Sequence, residues 1–358
     1  MNVNGNMTDI SCIRKEKAYF AAVNGKDGFV SFFDKIFFCE PIKRRYIIKG
    51  GPGTGKSSFM RRVALHAQKA GRDVEYYYCS SDTSSLDGVI IDGSIALLDG
   101  TAPHSCDTVL PGVRDGLIDL GRYWDASALE KHEDAVRSLG ASKSAAYANA
   151  YGYLGAAGRV EQTLKGVILP CVKTDKMRAA VRRICDKIQS DGKGEVRVCQ
   201  TDAFGIRGAV HLDTLKDMAT VCHTVEDHYG SADLLMRELL RRAGELGISA
   251  WVSYDTVDPS SPREIYFPCS GDYFCVRDEA DGEEDRINMK RFVDTAGIAS
   301  VRGAYRTARQ AYRTLLELAA HELSFAGKAH ADMEKIYVSC MDFDAEQKYC
   351  TEFLKSIS

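Results

Sequence analysis

No stretch of this chain is both apolar and long enough to span a bilayer, and its opening residues, MNVNGNMTDISCIRKEKAYF, lack the basic start and apolar core of a signal peptide. A membrane partner is therefore not expected, and a cytoplasmic location is. Positive charge is not in excess either. The 47 Lys and Arg stand against 50 Asp and Glu, a formal net charge of -3, which supplies no field to neutralise a phosphate backbone, so nucleic acid is not expected as a partner. Among the 12 cysteines there is no CxxC pair. Scattered through expected strands and helices, they read as small buried hydrophobes rather than as disulfides or a zinc cage. The nearest approach to a metal-ligand group along the sequence is His104 with Cys106.

What the chain does have is enough material for two domains, with 358 residues of which 45% are hydrophobic, and a repeat that organises them. MRRVALHAQKAGRDVEYYYCSSDTSS (60–85) lies over MRELLRRAGELGISAWVSYDTVDPSS (236–261) at a constant offset of 176 residues. Met60 falls on Met236, Gly71 on Gly247, Tyr78 on Tyr254, Asp82 on Asp258 and Ser84 on Ser260. Both segments read as an amphipathic helix, a glycine stop, a strand and a polar turn. KGVILPCVKTDKMRAAVRRICDKI (165–188) matches EKIYVSCMDFDAEQKYCTEFLKSI (334–357) at offset 169, with Cys171 on Cys340 and Asp175 on Asp344. Upstream, 28–36 resembles 208–215. Three blocks in the same order point to a duplicated chain forming an intra-chain pseudo-dimer.

The expected fold is α/β, a mostly parallel sheet of P-loop NTPase type with helices on both faces, duplicated, with helical insertions. The first domain is placed at 14–192 and the second at 193–358, with SDGKGE (190–195) as linker. Within the first, the patterning predicts strands at 44–49, 73–79, 95–99 and 166–171, helices at 56–70 and 175–189, and a helical stretch over about 113–163 that leans over the site or docks on the other repeat.

RRYIIKGGPGTGKSSFMRRVALHAQKAG reads strand, glycine-rich loop, helix, the context in which GxxxxGK[ST] cradles phosphate. Gly50, Gly51, Gly53 and Gly55 allow successive N–H groups to turn inward, with Pro52 and Thr54 between them, and the helix N-terminus adds partial positive charge. Lys56 is expected on the β- and γ-phosphates, Ser57 on Mg²⁺, and Thr54 and Ser58 on backbone or α-phosphate contacts. GSIALLDGTAPH offers Asp99 as the acid that helps hold Mg²⁺, in preference to Asp92 of VIID. No Glu follows Asp99, so the group that orients the attacking water is sought in Asp82 and Asp87 of CSSDTSSLDG and in His104, each of which also reads as an ordinary turn or loop residue. With Val172 where the guanine-reading NKxD motif needs Asn, ATP is expected rather than GTP.

At offset 176 the second copy has EDHYGSAD (226–233) in place of the loop, with Ala232 for Lys56 and Asp233 for Ser57. Together with Glu226 and Asp227, that puts carboxylates where phosphate must be neutralised, so one nucleotide site per chain is expected.

The motifs Gly50 to Ser58, CSSD at 79–82, LDG at 86–88 and DGTAPH at 99–104 resemble those of the tandem-repeat bacterial P-loop ATPases found in Firmicutes. That resemblance implies nucleotide binding and hydrolysis without naming a substrate, and the chain departs from it in lacking a loop in its second repeat. A thinner likeness, of DGTAPH to the DGxPR segment of nucleoside monophosphate kinases, implies a phosphotransferase as the alternative. Three functions are expected as candidates: an Mg²⁺-dependent ATPase, a small-molecule or nucleotide kinase, and a non-enzymatic nucleotide-gated module. The acceptor or partner, small molecule or protein, is unknown from the sequence.

Overall fold

The computed structural model describes residues 17–277 and 285–357. Residues 14–16 and Ser358 of the expected domains, Cys12, and Asp278 and Glu279 lie outside them. The first half runs β1 (Lys17–Phe20), β2 (Ala22–Gly25), β3 (Gly28–Ser31), α1 (Phe33–Phe37), β4 (Arg44–Lys49), α2 (Lys56–Lys69), β5 (Val74–Tyr78), β6 (Leu86–Ile91), β7 (Ile95–Asp99), β8 (Asp115–Asp119), α3 (Ala126–Glu130), α4 (Glu133–Ile168) and α5 (Thr174–Cys185). The second runs β9 (Val196–Val198), β10 (Asp202–Gly205), β11 (Gly208–His211), α6 (Thr214–Asp217), β12 (Val221–Glu226), α7 (Ala232–Glu245), β13 (Ala250–Tyr254), β14 (Pro262–Phe267), β15 (Asp272–Arg277), β16 (Asp285–Asn288), α8 (Thr295–Ser339) and α9 (Phe343–Ser356).

These elements make two six-stranded sheets, β1-β5-β6-β7-β4-β8 and β9-β13-β14-β15-β12-β16, the same order of elements in both halves. In each, one strand, β6 or β14, runs against the others, so the sheets are mixed but mostly parallel. β4 and β7 carry adjacent apolar residues buried on both faces, as strands covered by helices must (Ile47, Ile48, Leu97 and Leu98 are all fully buried). The hairpins β2–β3 and β10–β11 pair separately.

The expected strand at 166–171 is not one. Lys165–Ile168 finish α4, and Leu169–Cys171 form a 3₁₀ turn. Its apolar run is a helix end sunk into a core, and periodicity over so few residues does not separate that from a buried strand. The stretch expected to be helical from 113 instead opens with β8, which extends the sheet beside β4. Beyond β8 and the short α3 the chain enters a single long helix, α4, packed along α8 of the other half. Small residues on α4 and α8 (Ala150, Ala157, Ala319) are fully buried where these helices meet and allow their close approach.

The long helices carry each closing helix to the opposite half. α5 packs on α7, and its Met177, Val181 and Cys185 share a core with Leu235, Met236 and Leu239. α9 packs on α2, and its Cys350 and Phe353 share a core with Phe59, Met60 and Val63. The crossings are reciprocal. Asp125 N donates to Cys340 O and Asp294 N to Cys171 O, both at 2.8 Å.

Candidate functional site

β4, β5 and β7 run the same way, so their carboxyl ends open on one edge of the first sheet, and the start of antiparallel β6 joins them there. The loop from Gly50 to Gly55 leaves β4 at this edge and enters α2 at Lys56. Gly50, Gly53 and Gly55 have φ of 152°, 68° and 80°, backbone that side chains rarely adopt, which is why the loop is written in glycine. Thr54 is buried, and its hydroxyl donates to Gly51 O at 3.0 Å. Pro52 sits within the loop, and Ser58 is exposed in the first turn of α2.

Lys56 turns back over the loop, its Nζ donating to Gly50 O at 3.0 Å and Gly51 O at 2.8 Å. Asp99 at the end of β7 places Oδ2 3.6 Å from the same Nζ, while its Oδ1 accepts from Thr101 N at 2.8 Å and Thr101 Oγ1 at 2.5 Å. Burial raises the Asp99 pKa, partly offset by the charge of Lys56. Ser57 Oγ accepts from Leu86 N at 3.0 Å, which ties α2 to β6. Lys56 and Asp99 thus meet at this edge, with Ser57 the next residue of α2. Asp92 instead sits at the turn between β6 and β7 with φ of 48°, its carboxylate bonded by Arg72 at 2.7 Å.

The three residues sought as water-orienting groups part company. Asp82 closes its own turn, accepting from Ser84 N at 3.0 Å and Ser84 Oγ at 2.7 Å. Asp87 and His104 are both buried and face each other, with His104 Nε2 3.1 Å from Asp87 Oδ2. Burial pulls the His104 pKa down, and the carboxylates of Asp87 and, further off, Asp99 push it up by more. The pairing of His104 with Cys106 does not form the metal-ligand group that the sequence suggested. The cluster that does form joins His104 to Cys79 and Asp87, whereas the backbone carbonyl of Cys106 accepts from Lys49 Nζ at 2.7 Å.

Several residues at the site carry no local signal in the sequence. Lys143 of α4 is partly buried, and its pKa is lowered by burial and then by the neighbouring charge of Lys56. The second half roofs the loop. A Cβ built on Gly53 would lie 2.9 Å from Glu334 O and 2.9 Å from a Val338 methyl, and one on Gly51 would meet Trp124 at 3.1 Å and Tyr337 at 3.5 Å. The second half's hairpin also reaches the CSSD turn, with Ile206 N donating to Ser81 O at 2.9 Å.

In the second half, strand β12 extends through Glu226, so the equivalent loop is shorter than sequence offset suggested and Glu226 is not part of it. Asp227 fills that loop itself, with Oδ1 accepting from Ala232 N at 2.8 Å and Oδ2 from Gly230 N at 3.0 Å. Asp233 is held by Arg237 at 2.8 Å and lies 3.4 Å from Lys165. The carboxylates expected to repel phosphate are there, but they are bonded within the protein.

Comparison of the chain with protein-family models, with curated proteins and with solved structures yields no match.

Proposed function

We propose that the chain binds ATP with Mg²⁺ at Gly50–Ser58 and hydrolyses it, at one site per chain, on a duplicated fold of P-loop NTPase type. The observation that carries this reading is the convergence of cations on an N–H-rich loop. Lys56 is folded onto the carbonyls of Gly50 and Gly51, and Lys143 is close enough for the Lys56 charge to lower its pKa. Two like charges beside a helix N-terminus suit an anion that would neutralise both.

On this reading the loop N–H groups take the phosphate oxygens, Lys56 exchanges two loop carbonyls for the β- and γ-phosphates, and Lys143 adds charge from across the site. Ser57 and Asp99 are the residues that would hold Mg²⁺, whose chemistry there is to offset the charge of the phosphates. The hydroxyl and half-buried carboxylate suit a hard cation. Asp87 and His104 stand nearer to a catalytic role than Asp82, whose carboxylate is engaged by Ser84. A polar cleft of about 470 Å³ opens between Arg122–Ala128 and Ser339–Asp342, against Trp124, and offers the base an aromatic wall.

The identical element order of the two halves and the reciprocal hydrogen bonds support duplication, and the internal capping by Asp227 supports a second copy without nucleotide. The likeness to tandem-repeat P-loop ATPases agrees with duplication, and the chain departs from it in the second repeat. A phosphotransferase is the second reading, favoured by the roof of α8 over the loop, which would limit access of water. Equilibrium titration with ATP and Mg²⁺ tests the site: binding of one nucleotide per chain, lost in Lys56→Ala, is expected, and unchanged binding in that variant overturns it. Phosphate release without any acceptor separates hydrolysis from transfer.

A further inference from the structure

At the edge of the first sheet three side chains with three different donor atoms converge: the thiol of Cys79 just past β5, the carboxylate of Asp87 at the start of β6, and a ring nitrogen of His104 after β7. Their ligand atoms all lie within 4.8 Å of one another, and no other group of three such residues does so among the described residues. Asp87 is only 3% exposed, yet its Oδ2 accepts no hydrogen bond from the described residues. A carboxylate oxygen buried without a donor is costly unless something positive completes it.

His104 Nε2 lies 3.1 Å from that oxygen and is its ion-pair partner when the ring is protonated, but it does not meet hydrogen-bond alignment with it. Two ligands of a tetrahedral zinc ion, with bonds of about 2.0–2.2 Å, stand roughly 3.4 Å apart, close to this spacing, which is equally that of an ion pair. The imidazole is oriented by apolar contacts, stacked on Phe33 at 4.5 Å and met edge-on by Phe29 at 4.9 Å. The second half shares the sheet but not the donors. Asp255 and Arg263 occupy the positions of Cys79 and Asp87, so packing of the fold does not call for the set.

We propose that Cys79, Asp87 and His104 bind one divalent transition-metal ion of the Zn²⁺ class, distinct from the Mg²⁺ expected at Ser57 and Asp99. Thiolate, imidazole and carboxylate together suit zinc and its open-shell substitute cobalt, and a thiolate is a poor ligand for magnesium or calcium. Three protein ligands leave a tetrahedral ion one further position. The site stands on residues outside the phosphate loop and does not depend on nucleotide binding.

The experiment is titration of the chelator-treated full chain with Zn²⁺ alone and, separately, with Co²⁺ alone, without nucleotide. One equivalent of either metal per chain is expected, with a thiolate-to-cobalt charge-transfer band. Cys79→Ser should abolish the band, and Asp87→Asn and His104→Gln should each weaken Zn²⁺ binding more than tenfold. Cys106→Ser, close in sequence but outside the cluster, should leave both unchanged. Failure of the folded wild-type chain to take up stoichiometric Zn²⁺ overturns the proposal, as does uptake that Asp87→Asn and His104→Gln leave unaltered. Should Cys79→Ser not fold, the wild-type cobalt spectrum decides the thiol's part: the band supports ligation, and its absence at full cobalt loading refutes it.

Discussion

Phe20 and Gln200 meet in an antiparallel bridge, Phe20 N donating to Gln200 O at 2.7 Å, and they hold the same position in the two halves of the chain. Equivalent residues pair with one another in this way on a two-fold axis. The same relation appears as reciprocal pairs elsewhere: Trp124 bridges Met341 while Val172 bridges Val293. Lys26 N donates to Val257 O at 2.8 Å while Ile206 N donates to Ser81 O at 2.9 Å. Each half therefore completes the other, and the glycine loop of the first is finished by residues more than two hundred positions away along the chain.

That exchange makes the first half's stability depend on the last helix. Phe353 of α9 is buried against Phe59, with ring centroids 5.4 Å apart, and against Tyr46 at 4.9 Å. Phe353→Ala is expected to cost about 3–5 kcal/mol, the usual range for removing a buried ring. Denaturant unfolding followed by circular dichroism measures it. A loss below about 1 kcal/mol would mean that α9 does not complete this core.

Gly53 is the loop position where backbone and neighbours agree on the absence of a side chain. Its φ of 68° makes an L side chain strained, and a Cβ would lie 2.9 Å from the backbone oxygen of Glu334. Gly53→Ala is expected to cost about 1–2 kcal/mol in stability and to weaken ATP binding at least tenfold, read by calorimetric titration of the folded variant. Unaltered affinity would separate the loop from nucleotide binding.

Much of this was legible in the sequence, and the failures have physical causes. β4, the glycine loop and α2 announce themselves because strand, turn and helix each have their own local chemistry. The 169-residue offset aligned Cys171 with Cys340, the two residues whose carbonyls make the reciprocal crossings. Helical amphipathicity shows that α5 and α9 bury one face, but it does not say against which half. β8 was hidden because DGLID has a carboxylate at each end, and Asp115 is buried with Arg45 Nε at 2.6 Å across the sheet and the N–H groups of Val109 and Leu110 bonded to its other oxygen. Cys79 stood in the quoted CSSD motif, yet its partners Asp87 and His104 approach only through strand pairing. Lys143 arrives from a helix whose local pattern says nothing about phosphate.

The second half's loop should resist repair by a single change. Asp227 bonds the N–H groups of Gly230 and Ala232 at the start of α7, much as an anion would. Asp227→Ala is expected to lower stability by about 1 kcal/mol, typical of removing a helix-capping acceptor, with ATP stoichiometry still one per chain because Ala232 has no ammonium to offer. Thermal melting and nucleotide titration of the same variant check both halves of the statement. A second equivalent of ATP would contradict it.

Acid should act through Asp258, the counterpart of Asp82. It is buried, which by itself raises a carboxyl pKa, but hydrogen bonds from Lys26 and Ser260 and the nearby charge of Lys165 outweigh that and hold it well below the usual range. Its folded-state pKa is thus lower than its unfolded one of about 3.9. The unfolded chain binds the proton first, so the stabilisation is complete above that value and is lost as pH falls from there through the folded pKa. Asp258→Asn is expected to reduce stability at pH 7 by about 2 kcal/mol, less than full linkage would give because solvent reaches and screens part of the cluster. The gap between wild type and variant should hold steady from pH 7 to 5 and narrow below pH about 4. Melting temperatures of both proteins across that range measure it. A gap that stays constant down to pH 3 would show that the Lys26, Lys165 and Asp258 cluster contributes no ion-pair energy to the fold.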